Sequence, residues 1–251
     1  MKPATLCREF ASALMLLTRL PAAWLLRHNP PEPLRRCIWA FVPVGILIGA
    51  CGGGVFWVCA KIGLPRDVTA IFTIAAQIML CGGLHEDGLA DFFDGLGGRT
   101  QERRLEIMRD SRIGSFGALS LLLGIGLKIA ALANYQTPAY AFAALIAAGA
   151  GARAAMIFII LVLHPVRQDG LAHELQDRKM MPGMIAIAVA GLATWLLLPH
   201  HIAAITICGA CLVALLMARH LHRTLGGYTG DTLGATEALA EILMLALASI
   251  R

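Results

Sequence analysis

The chain has 251 residues, of which 58% are hydrophobic and only 15% charged, and its mean hydropathy is +0.71. A soluble globular domain is nearer to about 45–50% apolar and about 25% charged, so the composition excludes one and implies a single integral membrane domain, 1–251. The formal net charge of +5 comes without a basic stripe interleaved with aromatics, which argues against nucleic acid as a partner.

The first apolar segment, Leu6 to Leu26, is interrupted by Arg8, Glu9, Arg19 and Pro21. It reads as an interfacial or re-entrant helix, not a cleavable leader. A turn-forming stretch, HNPPEP over 28–33, follows. Seven runs are then long enough to span a bilayer: about 37–60, 67–84, 113–134, 138–163, 182–199, 201–219 and 233–250. The expected fold is therefore all-α, a polytopic bundle of about seven spanning helices plus the N-terminal helix. Seven cysteines are scattered, mostly inside these runs, and give no disulfide framework.

Charge placement sets the expected orientation. Segments 27–36, 85–112, 164–181 and 219–232 fall on one side and carry 13 Lys and Arg. The opposite side has 3, namely Lys61, Arg66 and Arg251. The positive-inside rule makes the first side cytoplasmic, and every polar motif lies on it.

The stretch CGGLHEDGLADFFDGLGG over 81–98 places Asp87, Asp91 and Asp94 at spacings of four and three. On a helix they fall within an arc of about 60°. Acids at a membrane boundary are costly unless a cation neutralises them, and hard oxygen ligands suit Mg²⁺. His85 adjoins the acids and is a candidate for proton transfer.

The next segment, RTQERRLEIMRDSRIGSFG, reads as a short surface helix ending at Asp110 and Ser111, either of which can cap the following span. Arg109 and Arg112 beside that cap form a candidate phosphate clamp. Arg153 stands alone inside the fourth run, placed to neutralise acids or reach a phosphate.

The last polar segment, RTLGGYTGDTLGATEALAE, has Gly227 and Gly230 where a backbone could approach a ligand closely. Asp231 opens the final run, and Glu237 and Glu241 lie four apart inside it. Ionisable groups within a span are functional candidates, the alternative being bridges to Arg153 or Lys128. Acids for Mg²⁺, arginines for phosphate and glycines for close approach are the equipment of phosphoryl transfer from a nucleotide-activated donor.

Three blocks, GGLHEDGLADFFDG, LEIMRDSRIGSFG and RTLGGYTGDTLGATEALAE, resemble the signature blocks of the cobalamin synthase family, the adenosylcobinamide-GDP ribazoletransferases. LTRLPA and FVPVGILIG near the start are similar as well. The resemblance implies an enzyme of the cytoplasmic membrane, its active site facing the cytoplasm. Such an enzyme joins adenosylcobinamide-GDP to α-ribazole or its 5′-phosphate with Mg²⁺ and releases GMP. Carried over by position, Asp87, Asp91 and Asp94 are implied metal ligands, and Asp110 and Asp231 further ones. Attack of a ribose hydroxyl on phosphorus would pass its proton to Asp91 or His85, with Arg109, Arg112, Arg153, Gly227, Gly230 and Glu237 binding substrate. The expected partners are those small molecules and the lipid bilayer; whether copies form a homo-oligomer is left open.

Two other readings compete. A CDP-alcohol phosphotransferase also has an acidic block opening with Asp-Gly, but it needs an Arg after DGxxA, where Asp91 stands. A metal-ion transporter would repeat its acids through opposed spans instead of gathering them on one face.

Overall fold

The computed structural model describes residues 3–26, 29–168, 170 and 172–250. Arg27 and Arg251, which entered the charge count, and His28 of the turn-forming stretch lie outside the described residues.

Helix α1 (Pro3–Leu17) is followed by a single turn at Ala23–Leu26. With 15 residues α1 is too short to span. A short helix α2 (Leu34–Cys37) runs through a tight turn into α3 (Phe41–Lys61). Then come α4 (Arg66–Cys81), α5 (Leu84–Gly95), α6 (Gln101–Ile107) and α7 (Ser115–Ala133). The chain ends with α8 (Pro138–Val162), α9 (Met180–Leu197), α10 (His200–Thr224) and α11 (Gly230–Ala248). No strand is present among the described residues.

Among the described residues five helices are long and apolar enough to cross a membrane: Leu34–Lys61, α7, α8, α9 and α10. A sixth is added if α4 and α5 count as one span, but the two are bent by 89°. The all-α polytopic bundle is as expected, with the number of spans counted differently. The run at 233–250 became α11, whose three acidic residues set it apart from a lipid-facing span although it is packed inside the bundle.

Helices α8 and α11 form the centre. Thr137 caps α8, accepting the Tyr140 N–H at 3.1 Å, and Pro138 occupies the first turn. The small residues of α8 let α3 come close: a Cβ added at Gly45 would strike the Gly149 carbonyl, and one at Gly149 would strike that of Gly45. This is small-residue packing of the kind used inside membranes, where apolar surface alone gives helices no reason to associate. By contrast α9 is apolar all round and mostly outward-facing. Met184, Ile185, Leu192 and Leu196 are exposed on it, as Leu119, Leu122 and Leu123 are on α7 and Leu212, Leu215 and Leu216 on α10. Such faces are stable only in lipid.

The polar segments meet at one end of the bundle. Tyr228 exchanges backbone hydrogen bonds with the loop after α8, donating to His164 and accepting from Val166, each at 2.9 Å. Arg167 donates to the Leu105 carbonyl at 3.1 Å, tying α6 to that loop. At the other end Tyr135 and Tyr140 donate to the Leu245 and Ala248 carbonyls, each at 2.8 Å.

Candidate active site

The acid block owes its position to two glycines. Gly82 and Gly83 both adopt left-handed backbone, φ 67° and 71°, which other residues take only at a cost. They close α4, with the Gly83 N–H on the Ile78 carbonyl at 3.0 Å, and turn the chain so that α5 runs across the end of the bundle. There α5 lies on the start of α11, backbone to backbone. A Cβ at Gly88 would sit 2.6 Å from the Asp231 carbonyl oxygen, and one at Gly234 would be 3.3 Å from that of Leu84.

This crossing forms the wall of a cavity of about 300 Å³. Asp87, His85 and Gly88 come from α5, Thr229, Gly230 and Asp231 from the start of α11, and Arg167 from the loop after α8. Thr229 and Thr232 make a capping box, leaving the rest of the α11 N-terminus, with Gly230 facing open space, free to meet an anion. Arg167 approaches Asp231 at 3.5 Å.

Asp91 lies beside these groups. Burial and the neighbouring charges of Asp87, Asp231 and Asp94 push its carboxyl up to about 7, with Arg167 opposing. Like charges held this close are relieved by a cation. Among the described residues no group of three or more His, Cys, Asp or Glu is arranged to hold a metal ion by itself.

Asp94 has other work. Its carboxylate accepts the Gly114 N–H at 2.7 Å and the Gly117 N–H at 2.8 Å, capping α7 from a distance. The cap expected from Asp110 or Ser111 is thus supplied by Asp94, with Gly114 as the first residue of the turn. Asp110 pairs instead with Arg112, whose guanidinium donates to it at 2.7 to 3.2 Å, holding the Asp110 carboxyl down to about 2. The pair lies on an outer recess with Asp94, Arg103 and Glu106, away from the main cavity. Arg109 is exposed at the end of α6.

Below the cavity a buried ion cluster joins four helices. Arg153 of α8 meets Glu237 of α11 at 2.5 Å and contacts His85 Nε2 at 3.1 Å. Lys128 of α7 meets Glu241 at 2.5 Å and Glu86 at 3.5 Å. A guanidinium can only donate, so His85 Nε2 is the acceptor and its proton is on Nδ1, which faces Glu237 at 3.7 Å. Arg153 and Glu237 are therefore partners of each other, as the bridging alternative had it, and reach the cavity only through His85.

The structure thus brings together His85, Asp87, Gly230 and Asp231, with Asp91 next to them. Arg112, Asp110 and Asp94 are set apart, and Gly227 packs against the His164 carbonyl, where a Cβ would clash. Arg167 was missed by sequence reasoning. It stands in HPVRQDG with no motif of its own and counted only as a topological charge.

An α-helical membrane protein whose acid-lined cavity sits at one end of the bundle, beside a free helix N-terminus and an arginine, belongs to the class of membrane-embedded transferases. The family described as cobalamin-5-phosphate synthase matches residues 9–249, and the chain belongs to that family of enzymes of cobalamin biosynthesis. It is 40% identical over 217 residues to the adenosylcobinamide-GDP ribazoletransferase of Bradyrhizobium diazoefficiens, covering 86% of this chain and 84% of the relative. The enzyme of the same description from Mesorhizobium japonicum is 36% identical over 253 residues, covering 100% of this chain and 96% of the relative. That from Allorhizobium ampelinum is 36% identical over 245 residues, covering 95% of each. No solved structure matches the chain.

Proposed function

We propose that this protein joins adenosylcobinamide-GDP to α-ribazole or α-ribazole 5′-phosphate with release of GMP, using Mg²⁺, in the cytoplasmic membrane with the cavity facing the cytoplasm. The observation that carries the chemistry is the meeting of Asp87 and Asp231 with the α11 N-terminus and Arg167 in one recess, with Asp91 beside it. The membership of the family supplies the corrinoid.

In this reading Asp87 and Asp231 hold the metal. Bound Mg²⁺ would neutralise charge on the diphosphate as the phosphorus–oxygen bond to GMP breaks. Arg167, 3.5 Å from Asp231, turns to donate to a phosphate oxygen, and the N–H groups after Thr229 donate to another. Asp91, next to Asp87 and Asp231, takes the proton from the attacking ribose hydroxyl as general base. His85 is not used as the base: its one acceptor nitrogen is engaged by Arg153. It holds α5 in place.

The test is GMP release by the purified protein with both cobamide precursors, as a function of Mg²⁺ concentration. Arg167→Lys, which keeps the charge and loses the planar fork, is expected to lose roughly 1–3 kcal/mol of transition-state stabilisation, the scale of a charged hydrogen bond. Wild-type protein that releases no GMP at any Mg²⁺ concentration would overturn the reading.

A further inference from the structure

The cavity has a lining of two kinds. Besides Asp87, Asp231 and Gly230 it is walled by Leu17, Leu34, Phe41, Met156 and Leu175. These come from α1, α2, α3, α8 and the turn after residue 172, so five separate elements converge on one apolar chamber. All five are buried, with at most 7% of their surface exposed. A convergent apolar wall facing a few fixed polar groups is the usual form of a small-molecule site.

We infer that this apolar chamber receives the flat aromatic base of the acceptor nucleoside, with Phe41, Met156 and Leu175 setting which bases are accepted. The inference rests on the proposed reading that the acceptor is a ribazole. Size supports it: about 300 Å³ is at the small end of ligand sites, room for a base and its ribose. A corrin ring with its side chains is far larger and stays outside the wall. Chemistry separates the two aromatic bases in the reaction. Guanine carries donors and acceptors around its edge, and five apolar side chains would leave them unpaired at a desolvation cost. The base of ribazole, a benzimidazole with two methyl groups, has one free ring nitrogen and an apolar far edge. With that edge among Phe41, Met156 and Leu175, the ribose points toward Asp87 and Asp231, where its hydroxyl must be for attack.

The experiment is a fluorescence titration of α-ribazole against purified protein in detergent, with and without Mg²⁺ and GDP. Wild type is compared with Leu175→Phe and Met156→Phe, which fill the chamber, and Phe41→Leu, which widens it. The expected result is at least a tenfold weaker affinity for α-ribazole in both filling variants. The riboside of unmethylated benzimidazole is expected to lose less than threefold, and in turnover the KM for the GDP-activated donor to stay within twofold of wild type. The unchanged donor KM also reports that the variants are folded. If the filling variants bind α-ribazole as wild type does, or raise the donor KM instead, the chamber holds guanine or a lipid chain and the inference fails. Binding is read without turnover, so a wild type that binds ribazole and releases no GMP would sink the proposed reaction and leave this site standing.

Discussion

Asp87 and Asp94 are seven residues apart and leave α5 from nearly the same face, yet their surroundings separate their roles. Asp87 looks into the cavity, whereas both oxygens of Asp94 are used by backbone N–H groups of α7. Asp87→Asn keeps the size and removes a charge. It is expected to insert normally and lose activity by at least ~100-fold, about 2.7 kcal/mol of barrier, in a GMP-release assay. Asp94→Asn keeps one acceptor oxygen of the two and is expected to cost about 0.5–2 kcal/mol, the range of an N-cap, read as a lower melting temperature in detergent. If the two variants exchanged these outcomes, the division of labour within the acid block would be wrong.

At the scale of elements, α11 is the helix on which the site is built, and ion pairs as well as packing tie it to its neighbours. Two cations, Arg153 and Lys128, face Glu86, Glu237 and Glu241 from neighbouring helices. Removing one partner of a buried pair leaves the other charge stranded, at roughly 3–5 kcal/mol. Lys128→Met is thus expected to destabilise the protein by about that much, and Lys128→Met with Glu241→Gln to recover most of it. Thermal unfolding in one detergent checks both, and equal melting temperatures for Lys128→Met and wild type would show that the pair carries no such load. Because these residues brace α5 and α11 from below, the single variant is also expected to lose activity without touching substrate.

For the whole molecule, the decisive feature is that every polar segment reaches the same end of the bundle. By the positive-inside rule, the bias of Lys and Arg is expected to place that end in the cytoplasm. In a cysteine-free background, single cysteines at Thr100 and Gln168 are expected to resist an impermeant thiol reagent added outside intact cells, and one at Gln136 to react. Labelling of Thr100 or Gln168 from outside would invert the orientation and expose the cavity to the wrong compartment.

Hydropathy and spacing were enough to read an all-α membrane bundle and the acid block, because those are properties of runs: a span must be apolar along its length, and a spacing of four and three puts acids on one helical face. The three blocks were legible for the same reason, being continuous stretches with their own composition. What the run could not tell was partnership. Asp94 and Asp87 look alike until α7 arrives at one and α11 at the other. Glu237 and Glu241 read as ligand-binding candidates until Arg153 and Lys128 reach them across the bundle. Arg167 meant only a positive loop until the chain folded it over Asp231. Each of these contacts joins residues distant in sequence, and a buried charge takes its role from whichever group neutralises it, so that part was decided by the tertiary structure alone.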